Sequence, residues 1–344
     1  MLDKPETTVS VAFRDWNKLL APYRSSDLNR SIFEIAVTAI PFIALWATSY
    51  FAWTISFWLM VPFALITSGF VVRLFLIQHD CGHGSFFQKA ANNDWVGRVL
   101  GVITMTPYQV WRYSHAKHHA TSGHLDKRGF GDIDTLTVRE YRAMSKWEKI
   151  GYRIYRFPLV MFVIGPLFVF VLKQRLPFGL MRSGAKFWVS AMGTNIAIAA
   201  TFAAMIWLVG WKAFLAVHLS VIMMTCTIGV WLFYVQHQFE DSYWADSTDW
   251  TAEEAALYGS SHYDLPGPLR WITANIGIHH VHHLYSRIPY YKLPQVLRDF
   301  PELADIRRFG FIESLSCIKL RFWDEAEKRM VSLKEASMAP APAR

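Results

Sequence analysis

The sequence predicts an all-α integral membrane protein: four transmembrane helices beneath a cytoplasmic helical cap that holds a His-rich dimetal site. Three observations carry that expectation. Hydrophobic residues fill 53% of the 344 positions and charged ones only 18%, against ~25% charged in an ordinary soluble domain. Apolar runs of membrane-crossing length recur along the chain. Histidines gather at the ends of those runs, in clusters whose spacing repeats.

The aromatic content of 16%, with fifteen Trp and twenty-five Phe, suits a bilayer, whose two interfaces collect aromatic side chains. A net charge of +8 suits anionic headgroups or an acidic partner. No basic run with interleaved aromatics forms a separate soluble module, so nucleic acid is not expected as a partner. The three cysteines, Cys81, Cys226 and Cys317, are odd in number and widely spaced. They suggest no disulfide framework and fit a reducing compartment. Residues 1–30 carry no apolar core with a small-residue cleavage site, so no signal peptide is expected.

In chain order, Phe13, Trp16, Leu19, Leu20 and Tyr23 fall at helical spacing among Arg14, Lys18 and Arg24. They predict an amphipathic helix on the membrane surface within a cytoplasmic segment 1–30, or else a surface helix of the cap. From Ile32 to Ile77 the chain is almost continuously apolar, broken chiefly by Glu34 and Arg73. That length crosses a ~30 Å hydrocarbon core twice, as spans at 31–52 and 55–77 with a turn near Trp53-Thr54. The second run leads into His79 and His83, four apart and on one helical face. Val99–Val110 is too short to span and leads to His115, His118 and His119. A basic stretch follows, from Lys127 to Arg156. Phe157–Leu172 is apolar but short, with Gly165-Pro166 in its middle, and reads as re-entrant or in-plane. Spans at 187–209 and 212–235 come next, the latter ending at His237. Residues 241–274 are mixed and polar, and then Asn275-Ile-Gly-Ile precedes His279, His280, His282 and His283. Leu293–Ala336 alternates charged and apolar residues at helical spacing, so 31–310 is expected to be the membrane domain and 311–344 a cytoplasmic helix and tail.

Four imidazoles in five residues are poor core fillers, because each ring needs partners for two nitrogens. A metal supplies them. His279, His282 and His283 repeat the spacing of His115, His118 and His119, and repetition at independent places is stronger evidence than either copy. His237 alone would read as a structural histidine. It joins the candidate ligands because it ends a span on the same side as His79 and His83. His280 faces away from its neighbours on a helix, His124 and His262 read as loop residues, and His218 as a mid-span structural hydrogen bond. One metal takes about four to six ligands, so the nine candidates imply two metals. All-nitrogen ligation suits Zn, Cu, Fe or Ni, and the pattern alone does not choose. Asp80, Asp132, Asp134, Glu240 and Asp241 are candidates to hold the ligand tautomers, and Asn275 to hold a water. If all clusters serve one site they lie on one side of the membrane, with both termini. Nearly all Lys and Arg lie there too, which makes that side cytoplasmic.

The order His79-x-x-x-His83, His115-x-x-His118-His119, His279-x-x-His282-His283 resembles the integral-membrane fatty acid desaturases. The flanking words Gln78-His-Asp-Cys-Gly-His-Gly84-Ser85-Phe86, Tyr234-Val-Gln-His237-Gln-Phe-Glu240 and Asn275-Ile-Gly-Ile-His sharpen it toward the bacterial acyl-lipid type. The likeness covers residues 30–310; Asp134 stands where an aromatic is expected, and His280 is an extra imidazole. The resemblance implies two iron ions held by the nine histidines, O2 as co-substrate, and a cis double bond made in an acyl chain. That chain is carried by a membrane lipid, or else by CoA or a carrier protein. Two electrons come from outside. No cytochrome b5 signature is present, so a ferredoxin or similar acidic donor is expected at the basic face. The bilayer is that of the bacterial inner membrane. A di-iron hydroxylase or ketolase with the same ligands is the first alternative. A membrane electron carrier with haem between paired mid-span histidines is the second.

Overall fold

A computed structural model describes residues 14–129 and 131–338. Four of its helices are long and apolar enough to cross a membrane: α1 (Leu28–Ile55), α2 (Phe57–His83), and, further along, two that follow the first half of the cap. Ser56 alone separates α1 from α2: its extended backbone ends one helix, and its hydroxyl accepts from Trp58 N at 3.2 Å to cap the next. Helix α3 (Ala90–Ile103) and helix α4 (Tyr108–Thr121) follow. The two remaining membrane-length helices are α5 (Ala185–Val209) and α6 (Trp211–His237), joined through Gly210 at φ 80°.

Helices α2 and α6 do not stop where their apolar runs stop. Each has 27 residues, about 40 Å of helix, or about 10 Å more than a hydrocarbon core. The surplus turns carry His79, His83 and His237 out of the apolar zone at the same end of the bundle. Between α4 and α5 the chain forms the helix Lys146–Tyr155 and then an irregular helical segment, Val160–Arg175, bent from it by 61°. Gly165 sits so close to the Val160 carbonyl that a Cβ would lie 2.8 Å from that oxygen. The regular i→i−4 ladder gives way there to wider turns. This geometry admits a broken span or a re-entrant loop.

The cap is mostly helical but holds short strands that the sequence reading did not anticipate. β1 (Leu136–Thr137) runs parallel to β4 (Leu320–Asp324), which forms an antiparallel hairpin with β5 (Arg329–Ser332). β2 (His262–Asp264) pairs in parallel with β3 (Arg308–Gly310). Residues 311–344 are therefore not one helix and tail: among the described residues only Phe311–Ser314 and Leu333–Met338 are α-helical there. Phe322 explains the difference, since it is fully buried against Tyr141 and Tyr152, at ring separations of 4.6 and 5.5 Å. Asp324 then accepts from Ala326 N and Glu327 N to turn the chain back.

The N-terminal amphipathic helix is shorter than expected and faces inward. Trp16–Leu20 is capped by Asp15, and Trp16 and Leu20 are buried, with Trp16 edge-on to Phe300 at 5.6 Å. Its apolar face covers the cap rather than lying on a bilayer; Phe13 lies outside the described residues.

Candidate metal centre

Four pieces of chain bring the nine candidate ligands together. The last turn of α2 presents His79 and His83, four apart, and Gly84 in the left-handed region (φ 68°) ends the helix behind them. Helix α4 presents His115, His118 and His119, and α6 ends on His237. The third box arrives on α8 (His279–Leu284), one element beyond α7 (Gly267–Ile272). Ala274 and Asn275 take left-handed backbone conformations (φ 48° and 54°) to turn the chain between them, Asn being among the residues that tolerate this best. Gly277 then passes the Tyr263 carbonyl so closely that a Cβ would stand 2.2 Å from its oxygen. These residues explain the Asn275-Ile-Gly-Ile word that precedes the box.

The rings form two groups, His79, His83, His115, His119 and His282 in one, His118, His237, His279 and His283 in the other. Within each group one nitrogen per residue lies within 4.8 Å of all the rest. The Nε2 atoms of His115, His119 and His282 follow one another at 3.1 Å, and those of His118 and His279 stand 3.2 and 3.0 Å from His237 Nε2. Nitrogens bound to one ion at ~2.1 Å with angles between right and tetrahedral would be about 3.0–3.4 Å apart. Nε2 of His83 and of His283 is buried without any hydrogen-bond partner, which a folded protein rarely tolerates. Burial, and then the neighbouring imidazoles, hold His115, His119, His279, His282 and His283 well below the ordinary histidine range. Neutral rings with converging lone pairs are metal-ligand chemistry, and the donor set fits two ions.

Asp80 and Asp132 reach the ligands as expected. His79 Nδ1 lies 3.2 Å from Asp80 Oδ1, and His118 Nδ1 pairs with Asp132. His237 Nδ1–H donates to the Gly259 carbonyl at 3.2 Å, a partner that side-chain patterns do not reveal. Three other expected partners do not reach. Asp134 receives contacts from Tyr155 and Arg156 on its backbone, Glu240 pairs with Arg329, and Asp241 with Arg307. The Asn275 amide donates to the Tyr290 carbonyl at 3.3 Å. His280 is structural: Nε2–H donates to the Leu303 carbonyl at 2.9 Å, and burial pushes its pKa down to about 3. His124 accepts from Asp126 N, and His262 donates to the Ala304 carbonyl. His218 makes no hydrogen bond through Nε2, contrary to expectation; it stacks on Phe214 at 4.8 Å. Among the described residues it has no second mid-span histidine to face, so the paired-ligand haem arrangement is not formed.

One support was legible only as an oddity, and another gave no sequence signal. Glu34 and Arg73 interrupt the first apolar run, and the fold pairs them across α1 and α2, both buried. Arg73 also reaches Thr38 and the Trp271 carbonyl, and Glu34 accepts from Tyr290 OH at 3.0 Å. Tyr290 N donates to Asp80 at 2.7 Å, which completes a path from Arg73 to His79. The other is Trp111, stacked on His115 at 4.7 Å. A Cβ on Gly82 would stand 2.6 Å from that indole, so only glycine lets it lie there.

Comparison with known proteins agrees with this geometry. The fatty acid desaturase family model matches residues 56–312. A fatty acid desaturase of Bacillus subtilis is 41% identical over 97% of this chain and 95% of its own. An sn-1 acyl-lipid omega-3 desaturase (ferredoxin) of Synechocystis is 31% identical over 74% of this chain and 71% of its own, and an sn-1 oleoyl-lipid 12-desaturase from the same organism 28% identical. From the match that spans all three histidine boxes, and from near full-length identity to a desaturase, the chain belongs to the fatty acid desaturase family and is an oxidoreductase.

Proposed function

We propose that this chain is an integral-membrane di-iron desaturase that places a cis double bond in an acyl chain carried by a membrane lipid. The observation that carries the reading is the convergence of nine histidines, and no carboxylate, into two adjacent ligand groups. Two irons held there would supply the O2 chemistry that removes hydrogen from adjacent methylenes, a bond type that offers side chains no acid–base handle. The overall change is –CH2–CH2– + O2 + 2 e⁻ + 2 H⁺ giving –CH=CH– + 2 H2O. His79, His83, His115, His119 and His282 would hold one iron, and His118, His237, His279 and His283 the other.

The chain's own residues orient these ligands. Asp80, Asp132 and the Gly259 carbonyl fix the Nδ1–H tautomers of His79, His118 and His237, which leaves each Nε2 lone pair inward. Trp111 covers His115 between α2 and α4, where it excludes water and keeps that ring from swinging. The lipid carrier is supported by the names of the Synechocystis relatives, and ferredoxin as donor by one of them.

The shared site supports one orientation. His119 and His237 stand together, and α5 and α6 cross between them, so the bent segment 157–175 does not cross. The turns at the far end hold Ser56, and Gly210 followed by Lys212, while the other described basic residues, apart from Arg73 buried within α2, are assigned to the histidine side. That bias supports a reading in which the site and both termini face the cytoplasm of a bacterial inner membrane.

Gas chromatography–mass spectrometry of total fatty acids from a host expressing the chain with a ferredoxin tests the reading, beside a His282→Ala control. A new monounsaturated or more unsaturated species that depends on His282 is expected. A hydroxylated product would replace desaturation with oxygen insertion, and no product with iron loaded would remove acyl chains as substrate.

A further inference from the structure

Arg156 is a buried cation of a different kind from Arg73. It is 3% exposed, yet every acceptor it meets is neutral. Nη1 donates to the Asp134 carbonyl at 3.2 Å; Nη2 donates to Tyr234 OH at 3.2 Å, Gln238 Oε1 at 3.0 Å and the Leu320 carbonyl at 3.0 Å. The guanidinium also lies 5.5 Å from the Tyr234 ring. Among the described residues it forms no ion pair with a carboxylate, whereas Arg73 is neutralised by Glu34. Its partners adjoin one ligand group along the chain. Tyr234, on the last turn of α6, and Gln238, its C-cap, flank His237. Asp134 lies two residues beyond Asp132, which holds His118. Thr135 donates to the same Gln238 oxygen at 3.2 Å.

Keeping an unpaired charge out of water costs several kcal/mol, and a neutral side chain of similar length would fill the place. In a poorly screened interior the field of such a charge reaches well past its hydrogen bonds. A cation near a bound metal raises the energy of the ferric form more than that of the ferrous form, because the repulsion grows with the metal's charge. We infer that Arg156 is an electrostatic positioning residue of the four-histidine group, and that its charge, which no carboxylate pairs directly, makes the iron held there the more easily reduced of the two. The inference rests on the di-iron reading above. The step concerned is a one-electron reduction, Fe(III) + e⁻ giving Fe(II), with the electron drawn in the cell from the external one-electron donor.

The test is a potentiometric titration of the iron-loaded full chain in nanodiscs, with dithionite as reductant and the half-reduced centre followed by electron paramagnetic resonance. Three variants are compared. Arg156→Gln removes the charge, Arg156→Lys keeps it, and Gln238→Glu leaves Arg156 in place but neutralises it through the acceptor it already uses. Arg156→Gln and Gln238→Glu are expected to shift one reduction step to lower potential by on the order of tenfold in its equilibrium constant, about 59 mV, while Arg156→Lys holds it near the wild-type value. Equal shifts in Arg156→Gln and Arg156→Lys would make the role purely structural and overturn the inference. So would an unmoved potential in Gln238→Glu, which tests the charge even if Arg156→Gln does not fold. A wild-type chain that binds no iron overturns the di-iron reading and this inference with it; two bound irons with potentials indifferent to these charges overturn the inference alone.

Discussion

The two histidine groups use one ligand chemistry but are supported in opposite ways. The five-histidine group hangs on the end of α2, and its outer support runs back into the membrane helices through Asp80, Tyr290, Glu34 and Arg73, with opposite charges paired. The four-histidine group draws its ligands from α4, α6 and α8 and its supports from loops: Asp132, the Gly259 carbonyl and the unpaired Arg156. One group is anchored by a span whose buried cation is paired with a carboxylate, the other by the cap, whose buried cation meets only neutral acceptors. Identical rings can thus present two different sites to one substrate.

Deleting ligands should break the equivalence most visibly. His115→Ala leaves four imidazoles in its group and His279→Ala leaves three in the other. Both are expected to abolish product, but iron content by mass spectrometry should fall to about half only in His279→Ala, since three nitrogens fall below the usual set of about four ligands. Equal iron loss in both would mean that the extra ligand confers no advantage. Next in size is the balanced pair. Glu34→Ala strands Arg73 in the interior, which costs about 3–5 kcal/mol and should lower the unfolding temperature. Replacing Glu34 and Arg73 together by Met should recover most of that loss, because the double variant buries no orphaned charge. No such recovery would show the pair to be more than mutual neutralisation.

Much of this was legible in the sequence, and what was not has a common cause. Ligand spacing is a local property, so the boxes on α2, α4 and α8 stand out, as does Asp80 beside His79. The spans follow from length and hydropathy alone. The supports do not, because their partners are remote: Tyr290 meets Asp80 across 210 positions, and Arg156 meets Leu320 across 164. Glu34 and Arg73 were visible as charges in an apolar run, a functional signal in any membrane helix, but nothing local said that they face each other. The hairpin at Leu320–Ser332 was masked by charged flanks with helical spacing, while its register depends on Phe322 finding Tyr141 and Tyr152. The inward turn of Trp16 depends likewise on Phe300.

Weaker perturbations sharpen the comparison. Asp132→Asn and Asp80→Asn each remove a carboxylate that holds one imidazole, and each should weaken metal binding about 10–100-fold in chelator competition. The losses should fall on different irons: Asp132→Asn on the four-histidine group, Asp80→Asn on the other. A shared loss would mean that the groups bind their metals as one unit.

The smallest effect expected is that of Tyr290→Phe, and it probes how far support reaches along the path to His79. The substitution removes the hydroxyl that donates to Glu34 but keeps the backbone N–H that donates to Asp80. One hydrogen bond to a charged acceptor is lost, and Glu34 remains paired with Arg73 and Arg30, so the stability cost should be about 1.5–3 kcal/mol. Because the Asp80 contact survives, metal affinity of the five-histidine group should fall by less than in Asp80→Asn, and the four-histidine group should not respond. If Tyr290→Phe instead matches Asp80→Asn in chelator competition, the phenol rather than the backbone amide sets the Asp80 carboxylate. The membrane pair would then act directly on the ligand, and the five-histidine group would owe its orientation to charges on α1 and α2.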